Sequence, residues 1–189
     1  MDLPREPESE RKRALLQAAY DRIAAEGFEG LRTRDVAADV GVNIATLHYY
    51  FPTKEALIRA VVGFALSRFV GTIPTTSSGA EVLRGHLKAV GALIKSDQRL
   101  WAVMGELALR APRDPGLHDL MQQLGVYWHR KLVELMSAAA SEGAVSPGLD
   151  IEGTAALVIA GLRGLALPGM DTKSVDQVIG QLMRWLRLE

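Results

Sequence analysis

Residues 33–57 read TRDVAADVGVNIATLHYYFPTKEAL, and this stretch decides the fold. Counting Thr33 as position one, alanine falls at position five (Ala37) and glycine at position nine (Gly41). Two short helices that meet at about 90–120° need a small side chain where they cross and a residue that tolerates positive φ in the turn. Ala37 and Gly41 meet these needs. The stretch therefore predicts a helix-turn-helix, whose second helix enters the major groove of DNA.

Apolar residues at regular positions supply a small core that the two helices share. They are Val36, Val40, Val42, Leu47 and Tyr50. Thr33 is expected to cap the first helix of the pair and Asn43 the second, because short polar side chains there accept bonds from helical N–H groups. An ordinary helical hairpin can also contain an alanine and a glycine. The caps and the spacing together favour the helix-turn-helix.

Helical spacing continues on both sides of this stretch, and no segment alternates as a strand does. A first helix is predicted over residues 9–26 with Gly27 as its stop, and a fourth helix is capped by Thr53 and runs to about residue 70. Further helices are predicted over residues 80–95, 97–111, 115–142, 150–167 and 173–188. Loops are expected at residues 74–79 and around Pro168-Gly169. The fold class is therefore all-α, with about nine helices.

The chain is expected to divide near residue 52. Residues 1–8 are polar and are predicted to form a disordered tail, residues 9–52 a helix-turn-helix DNA-binding domain, and residues 53–189 a larger helical-bundle domain for effector binding and dimerisation. The fourth helix is long enough to connect the two domains.

Composition excludes several classes of protein. The 189 residues include no cysteine, so disulfides and thiolate metal sites are excluded, and four histidines without ligand spacing predict no metal site. No glycine-rich phosphate loop or nucleophile elbow is present, so we expect no cofactor and no enzyme. No signal peptide is visible, and the most apolar stretch, residues 154–167, is shorter than the ~20 residues of a membrane span. The prediction is a soluble, cytoplasmic protein.

Charge gives DNA binding little support. The whole chain has 22 basic and 22 acidic residues, and residues 1–54 have eight basic and nine acidic residues, a net charge of −1. Nucleic-acid-binding domains are often basic. Attraction to phosphate must therefore come from the local placement of charges. The basic run of Arg11, Lys12 and Arg13 is either a solvated face or a backbone contact.

Residues 10–62 resemble the DNA-binding domain of the TetR family of bacterial transcriptional regulators. The segment TLHYYF at residues 46–51, followed by KEAL at residues 54–57, is the most specific part of the resemblance. The rest of the chain resembles the family in the number and length of its helices. The resemblance implies a homodimeric repressor that binds a palindromic operator and is released by a small molecule.

The recognition helix should contact base edges near its N-terminus, which makes Asn43, Ile44, Ala45 and Thr46 candidates. Ile44 and Ala45 can meet thymine methyl groups, and Thr46 can hydrogen-bond. His48 stands where the family often has tyrosine and could touch a base or a phosphate. The resemblance assigns phosphate contacts to Tyr49 and Lys54.

Other residues near the helix pair divide between phosphate contact and core. Thr33 and Arg34, at the start of the preceding helix, are further phosphate candidates. Leu47, Tyr50 and Phe51 are expected to be core.

A dimer surface is predicted at the last two helices. A single helix-turn-helix binds weakly, and two-fold dimers place two of them about one DNA turn apart. The helix over residues 150–167 is apolar nearly all round and must be buried on more than one side, while Gly161 and Gly164 permit a close neighbour. In the family, these two helices form a four-helix bundle with their mates. The alternative is that both belong to the core of one protomer.

The middle helices are expected to hold the effector, which is predicted to be small and mostly apolar. The candidates share aromatic, methionine, leucine or histidine side chains: Phe64, His86, Trp101, Met104, Leu107, Met121, Leu124, Tyr127, Trp128 and His129. The same spacing also describes an ordinary buried helix stripe, and the cavity rests largely on the resemblance. Effector binding would shift the fourth helix and weaken operator binding.

Two rival functions stay open at this point. The first is a DNA-binding regulator without an effector, which a solidly packed body would favour. The second is a small helical-bundle enzyme, which would need Glu106, His86, His118 and His129 to converge in one cleft.

Overall fold

A computed structural model describes residues 6–72, 79–165 and 171–189. These residues form nine α-helices and one short 3-10 turn, Ala111–Arg113, with no strand. The helices are α1 (Glu6–Gly30), α2 (Thr33–Asp39), α3 (Ile44–Tyr50), α4 (Lys54–Val70), α5 (Gly79–Ser96), α6 (Gln98–Arg110), α7 (Pro115–Ser141), α8 (Ile151–Gly164) and α9 (Thr172–Trp185). The predicted all-α fold class is confirmed. Residues 1–5 of the predicted tail, most of the predicted loop at 74–79 and the breaker at 168–169 lie outside the described residues.

The α2–α3 pair forms for the reasons that the spacing predicted. Ala37 is 2% exposed where the helices cross, and Gly41 has φ +71° in the turn, a value that glycine adopts without strain. Val36 and Leu47 are wholly buried between the helices, whereas Val40, Val42 and Tyr50 are half-buried. A few large side chains therefore hold the motif together.

The helix caps agree with the prediction at two positions and differ at one. Asn43 caps α3, and Thr53 accepts a bond from the Ala56 amide at 3.0 Å at the start of α4. The prediction that Thr33 caps α2 is wrong. The extended residue is Arg32, whose carbonyl accepts from the Val36 amide, and Thr33 is already helical. Because the buried Leu31 anchors the chain just before this point, the helix begins one residue earlier than expected.

Gly27 breaks α1, but the helix does not stop there. Its φ of +68° and ψ of −174° lie outside the helical range, and the chain resumes helical geometry as far as Gly30. At this break the backbone N–H of Phe28 donates to a side chain, the carboxylate of Glu106 on α6.

Contacts group the chain into two compact units. Unit 1 contains residues 1–67 and 102–117, and unit 2 contains residues 68–101 and 118–189. Unit 1 therefore includes most of α6 as well as the helix-turn-helix, which differs from a simple boundary at residue 52. The assignment of DNA binding to 9–52 and of effector binding and dimerisation to 53–189 stays a prediction about function.

The core of unit 2 is built by α5, α7, α8 and α9. Its innermost side chains are 0% exposed and include Leu83, Leu87, Val90, Leu132 and Met136. The helices also approach closely where a side chain is absent: a Cβ added to Gly91 of α5 would lie 2.9 Å from Ile179 of α9. This core fixes the positions of the exposed faces of α8 and α9.

Candidate nucleic-acid interface

The N-terminus of α3 is held by a double hydrogen bond to Asn43. The amide oxygen of Asn43 accepts from the Thr46 backbone N–H at 2.8 Å and from the Thr46 hydroxyl at 2.9 Å. The cap satisfies a backbone donor that would otherwise have no helical partner. It also uses the amide oxygen of Asn43 and the hydroxyl proton of Thr46. The NH2 group of Asn43 therefore remains for contact with a base.

The outer face of α3 is formed by Ala45, His48 and Tyr49, all exposed. Tyr49 is 71% exposed, and its ring packs edge-on against that of Tyr50 with the ring centroids 5.0 Å apart. Ile44 is half-buried. This face combines a methyl group, an imidazole and a phenol hydroxyl, groups that can meet thymine methyls, base edges and phosphates.

Other helices of unit 1 carry cationic side chains that are exposed or half-buried. Arg34 is exposed and Thr33 half-buried at the start of α2, and Arg11, Lys12 and Arg13 are exposed on α1. Arg32, which was not singled out from the sequence, is exposed beside Thr33. The ammonium nitrogen of Lys54 lies 3.5 Å from the Phe28 carbonyl, a long contact that leaves its other donors available.

One arginine pairs with three of the acidic residues of unit 1. Arg22 of α1 holds both carboxylate oxygens of Asp39 at 2.6 and 2.9 Å, and its guanidinium lies 3.8 Å from Asp35 and 3.6 Å from Glu26. The hydrogen bond from Arg22 lowers the pKa of Asp39. This pairing joins α1 to α2. It also balances part of the negative charge that three carboxylates bring close to the helix-turn-helix.

A chain of three hydrogen bonds crosses unit 2 through His86, which is 1% exposed. The Trp128 indole N–H donates to Nε2 of His86 at 3.0 Å, so Nδ1 carries the ring proton and faces the Thr72 hydroxyl at 2.9 Å. Thr72 in turn donates to the Phe69 carbonyl at 2.6 Å. Burial lowers the pKa of His86, which keeps the imidazole neutral.

Aromatic rings pack beside this chain. Phe69 lies edge-on to Trp101 with ring centroids 5.3 Å apart, and 5.9 Å from Trp128. The Trp101 indole nitrogen is buried and has no hydrogen-bond partner among the described residues. The structure thus brings together three of the predicted effector residues, His86, Trp101 and Trp128. Sequence reasoning missed Phe69 and Thr72, which complete the cluster.

The other predicted effector residues lie in different surroundings. In unit 1, Phe64 packs edge-on against Tyr20 with the ring centroids 5.4 Å apart. Leu107 is wholly buried in the same unit, and Met104 is half-buried. In unit 2, Met121, Leu124 and Tyr127 are half-buried on α7. His129 lies 3.1 Å from the Glu152 carbonyl beside a surface groove of about 330 Å³.

The exposed face of α8 is a continuous seam of small and apolar residues. It consists of Gly153, Ala156, Leu157, Ala160 and Gly161, spaced three and four residues apart. Leu157 is 57% exposed, and a Cβ added to Gly161 would meet no atom within 4 Å. On α9, Trp185 is 41% exposed. The opposite face of α8 is buried in the core of unit 2, so the helix that looked apolar nearly all round has two apolar faces.

A capped helix-turn-helix followed by a helical bundle is the architecture of a one-component transcriptional regulator. Two family models match the chain: "Bacterial regulatory proteins, tetR family" over residues 15–61 and "BetI-type transcriptional repressor, C-terminal" over residues 79–188. The chain belongs to the TetR family, and it is a DNA-binding transcriptional regulator.

Individual relatives support both parts of this assignment. The nicotine-responsive repressor HdnoR of Paenarthrobacter nicotinovorans is 27% identical over 135 residues, 69% of this chain and 70% of the relative. RutR of Escherichia coli K12 is 46% identical over 54 residues, 29% of this chain and 26% of RutR. A solved regulator from Saccharomonospora viridis, in complex with choline, shares the fold with a TM-score of 0.77 at 23% identity, covering 93% of this chain and 96% of that one.

Within the part of the chain that the structure describes, no group of three histidine or acidic residues is placed to hold a metal ion. No helix in those same residues has the length and apolarity needed to cross a bilayer. Of the four residues that a helical-bundle enzyme would need, three have separate partners and His118 is exposed: Glu106 bonds to Phe28, His86 to Trp128, and His129 to Glu152.

Proposed function

We propose that the protein is a cytoplasmic, homodimeric repressor that binds a palindromic operator and leaves it when a small, mostly apolar effector binds. The observation that carries the proposal is the outer face of α3, where Ala45, His48 and Tyr49 are exposed on a helix whose N-terminus is fixed by Asn43. These three side chains are exposed at consecutive turns of a short helix and are therefore available to a second surface. In a helix-turn-helix that surface is the major groove.

The contacts divide into those that specify and those that position. Asn43, Ile44, Ala45, Thr46 and His48 lie where they can meet base edges. The residues assigned to phosphate are Thr33, Arg34, Tyr49 and Lys54. Because residues 1–54 carry a net charge of −1, non-specific attraction is weak and affinity depends on these local contacts. The apolar Ile44 and Ala45 favour recognition by thymine methyl groups and by DNA shape.

The seam on α8 supports dimerisation. A helix face of glycine, alanine and leucine lets a second helix approach closely, and burying Leu157 of α8 and Trp185 of α9 removes two exposed apolar side chains from water. Members of this family are typically dimers. We infer that α8 and α9 pair with the same helices of a second protomer around a two-fold axis.

The aromatic cluster of Phe69, Trp101 and Trp128 supports an effector site in unit 2. Its rings offer apolar surface, and the Trp101 indole N–H offers one hydrogen-bond donor, which together suit a small molecule with a single acceptor. Two of the proteins named above concern small molecules: HdnoR is nicotine-responsive, and the Saccharomonospora viridis regulator was solved in complex with choline. An effector here and DNA at α3 would each weaken the binding of the other. We infer no catalytic role.

Selection of bound sequences from a random duplex pool tests the DNA-binding part of the proposal. We expect an enriched inverted repeat whose half-sites are separated by about one DNA turn. A matched selection with the Ala45→Glu variant, which places a carboxylate on the outer face of α3, should lose the enrichment while its helical circular dichroism is retained. Enrichment of a single unrepeated site would contradict the dimer. Absence of any enrichment with the unaltered protein would contradict the DNA-binding role.

A further inference from the structure

The break in α1 is held from outside the helix by a carboxylate. Oε2 of Glu106, on α6, accepts a hydrogen bond from the Phe28 backbone N–H at 3.3 Å. The contact is close: a Cβ added to Gly27 would lie 2.9 Å from the same oxygen. Both the positive φ of Gly27 and its missing side chain are therefore needed for Glu106 to reach the amide.

Phe28 has further partners in the same unit. Its carbonyl faces the ammonium of Lys54 at 3.5 Å, and its ring lies under the guanidinium of Arg110 at 5.0 Å. Glu106 and Arg110 are four residues apart, on one face of α6. One residue at the break of α1 thus contacts α6 through its amide and ring, and the first residue of α4 through its carbonyl.

Lys54 connects this junction to DNA, because the family resemblance and its place at the N-terminus of α4 make it a phosphate contact. A shift of Phe28 would move the carbonyl that Lys54 faces. Helix α6 also carries Trp101, five residues before Glu106, so a single helix contributes to the aromatic cluster and to this junction.

We propose that Glu106 is a positioning residue for operator binding: it holds the broken end of α1 through the Phe28 amide, and so sets the geometry of α1 and Lys54 against DNA. The inference rests on the proposed operator binding. The alternative is that Glu106 only adds stability to unit 1. A purely stabilising role would leave the operator affinity of the folded protein unchanged, whereas loss of positioning weakens binding to the operator alone. The charge itself acts in the opposite direction, because removal of a carboxylate near DNA strengthens binding through electrostatics.

Three substitutions in the full chain separate position from charge. Glu106→Gln keeps an acceptor for the Phe28 amide and removes the charge. Glu106→Met keeps the length and removes the acceptor, while Glu106→Asp keeps the charge and withdraws the carboxylate by one methylene. Asp119→Asn, at an exposed carboxylate of α7, is the control for the loss of one charge.

Affinity is measured for the operator selected as above and for a scrambled duplex, and hydrogen exchange is measured at the Phe28 amide. We expect Glu106→Met and Glu106→Asp to weaken operator binding by about five- to tenfold, the loss of one ordinary hydrogen bond, without weakening binding to the scrambled duplex. Phe28 exchange should be faster in both. Glu106→Gln should stay within about twofold of the unaltered protein on the operator, because its amide oxygen can take the same bond.

The inference is overturned if Glu106→Met and Glu106→Asp expose the Phe28 amide and yet bind the operator as the unaltered protein does. It is also overturned if Glu106→Gln loses as much affinity as Glu106→Met, or if both DNAs are affected equally. Should Glu106→Met fail to fold, the charged Glu106→Asp variant decides. If the unaltered protein selects no sequence, the proposed function itself has failed. In that case there is no operator on which the Glu106 variants and the Asp119→Asn control could be compared.

Discussion

A substitution at Gly161 should make the protomer more stable and the dimer less stable. The residue lies in the exposed seam of α8, and replacing it with leucine adds a side chain whose Cβ has no atom within 4 Å among the described residues beyond its own helix backbone. A glycine inside a helix costs about 1 kcal/mol relative to a good helix former, so Gly161→Leu should stabilise the isolated helix by slightly less than that amount.

In the dimer, the same substitution should be costly. A two-fold axis places two new leucines in one close-packed seam, and overpacking costs about 1–3 kcal/mol at each site. Even at the lower limit, about 2 kcal/mol per dimer, the dissociation constant of the dimer should rise by about 30-fold. Operator affinity should fall with it, because one protomer presents one α3.

Analytical ultracentrifugation over a range of protein concentrations measures the dimer dissociation constant directly. Gly63→Leu is the matched control, since Gly63 is also an exposed glycine inside a helix with no atom within 4 Å of an added Cβ, but it lies on α4. We expect the control to dissociate as the unaltered protein does. An unchanged dimer in Gly161→Leu would refute the assignment of the seam as the dimer interface.

Three further outcomes follow from the described contacts. Asn43→Ala removes both hydrogen bonds at the start of α3 and should cost about 1 kcal/mol of stability, seen by thermal melting, while Asn43→Ser, which can still cap, should recover most of it. Lys54→Met should reduce the slope of log operator affinity against log salt by about 0.9 per protomer, whereas Lys131→Met, on α7, should leave the slope unchanged. Because burial lowers the pKa of His86, the unfolded chain binds more protons than the folded one below about pH 6.5, so the free energy of unfolding should fall as the pH drops through that range. Denaturant titrations should show this fall and show it reduced in His86→Leu; an equal pH dependence in both would contradict a buried neutral His86.

Most of the helices could be predicted from the sequence because their signals are local. Apolar spacing, proline and glycine breakers, and the caps at Asn43 and Thr53 lie within a few residues of the structure that they determine. Thr33 shows the limit of such signals. A buried neighbour, Leu31, fixed where the chain enters α2, and the expected cap became the first helical residue.

The tertiary pairings could not be predicted in the same way. Glu106 meets Phe28 across 78 residues of chain, and Trp128 meets His86 across 42. No periodicity within either helix indicates its partner. Glu106 looked like a catalytic candidate from residue type alone, and its bond to the Phe28 amide became visible only in the fold, where α6 meets the broken end of α1. Phe69 and Thr72 were missed for the same reason. Neither residue indicates a site by its place in the sequence, and only the fold brings their ring and hydroxyl group into the cluster.

If two copies of α3 act together on a symmetric operator, tight binding needs both half-sites. The affinity of the unaltered protein should therefore be measured for the selected inverted repeat and for the same duplex with one half-site scrambled. We expect scrambling of one half-site to lower the affinity to nearly that of unrelated DNA, because one weakly charged helix-turn-helix has few contacts. Equal affinity for the two duplexes would contradict it.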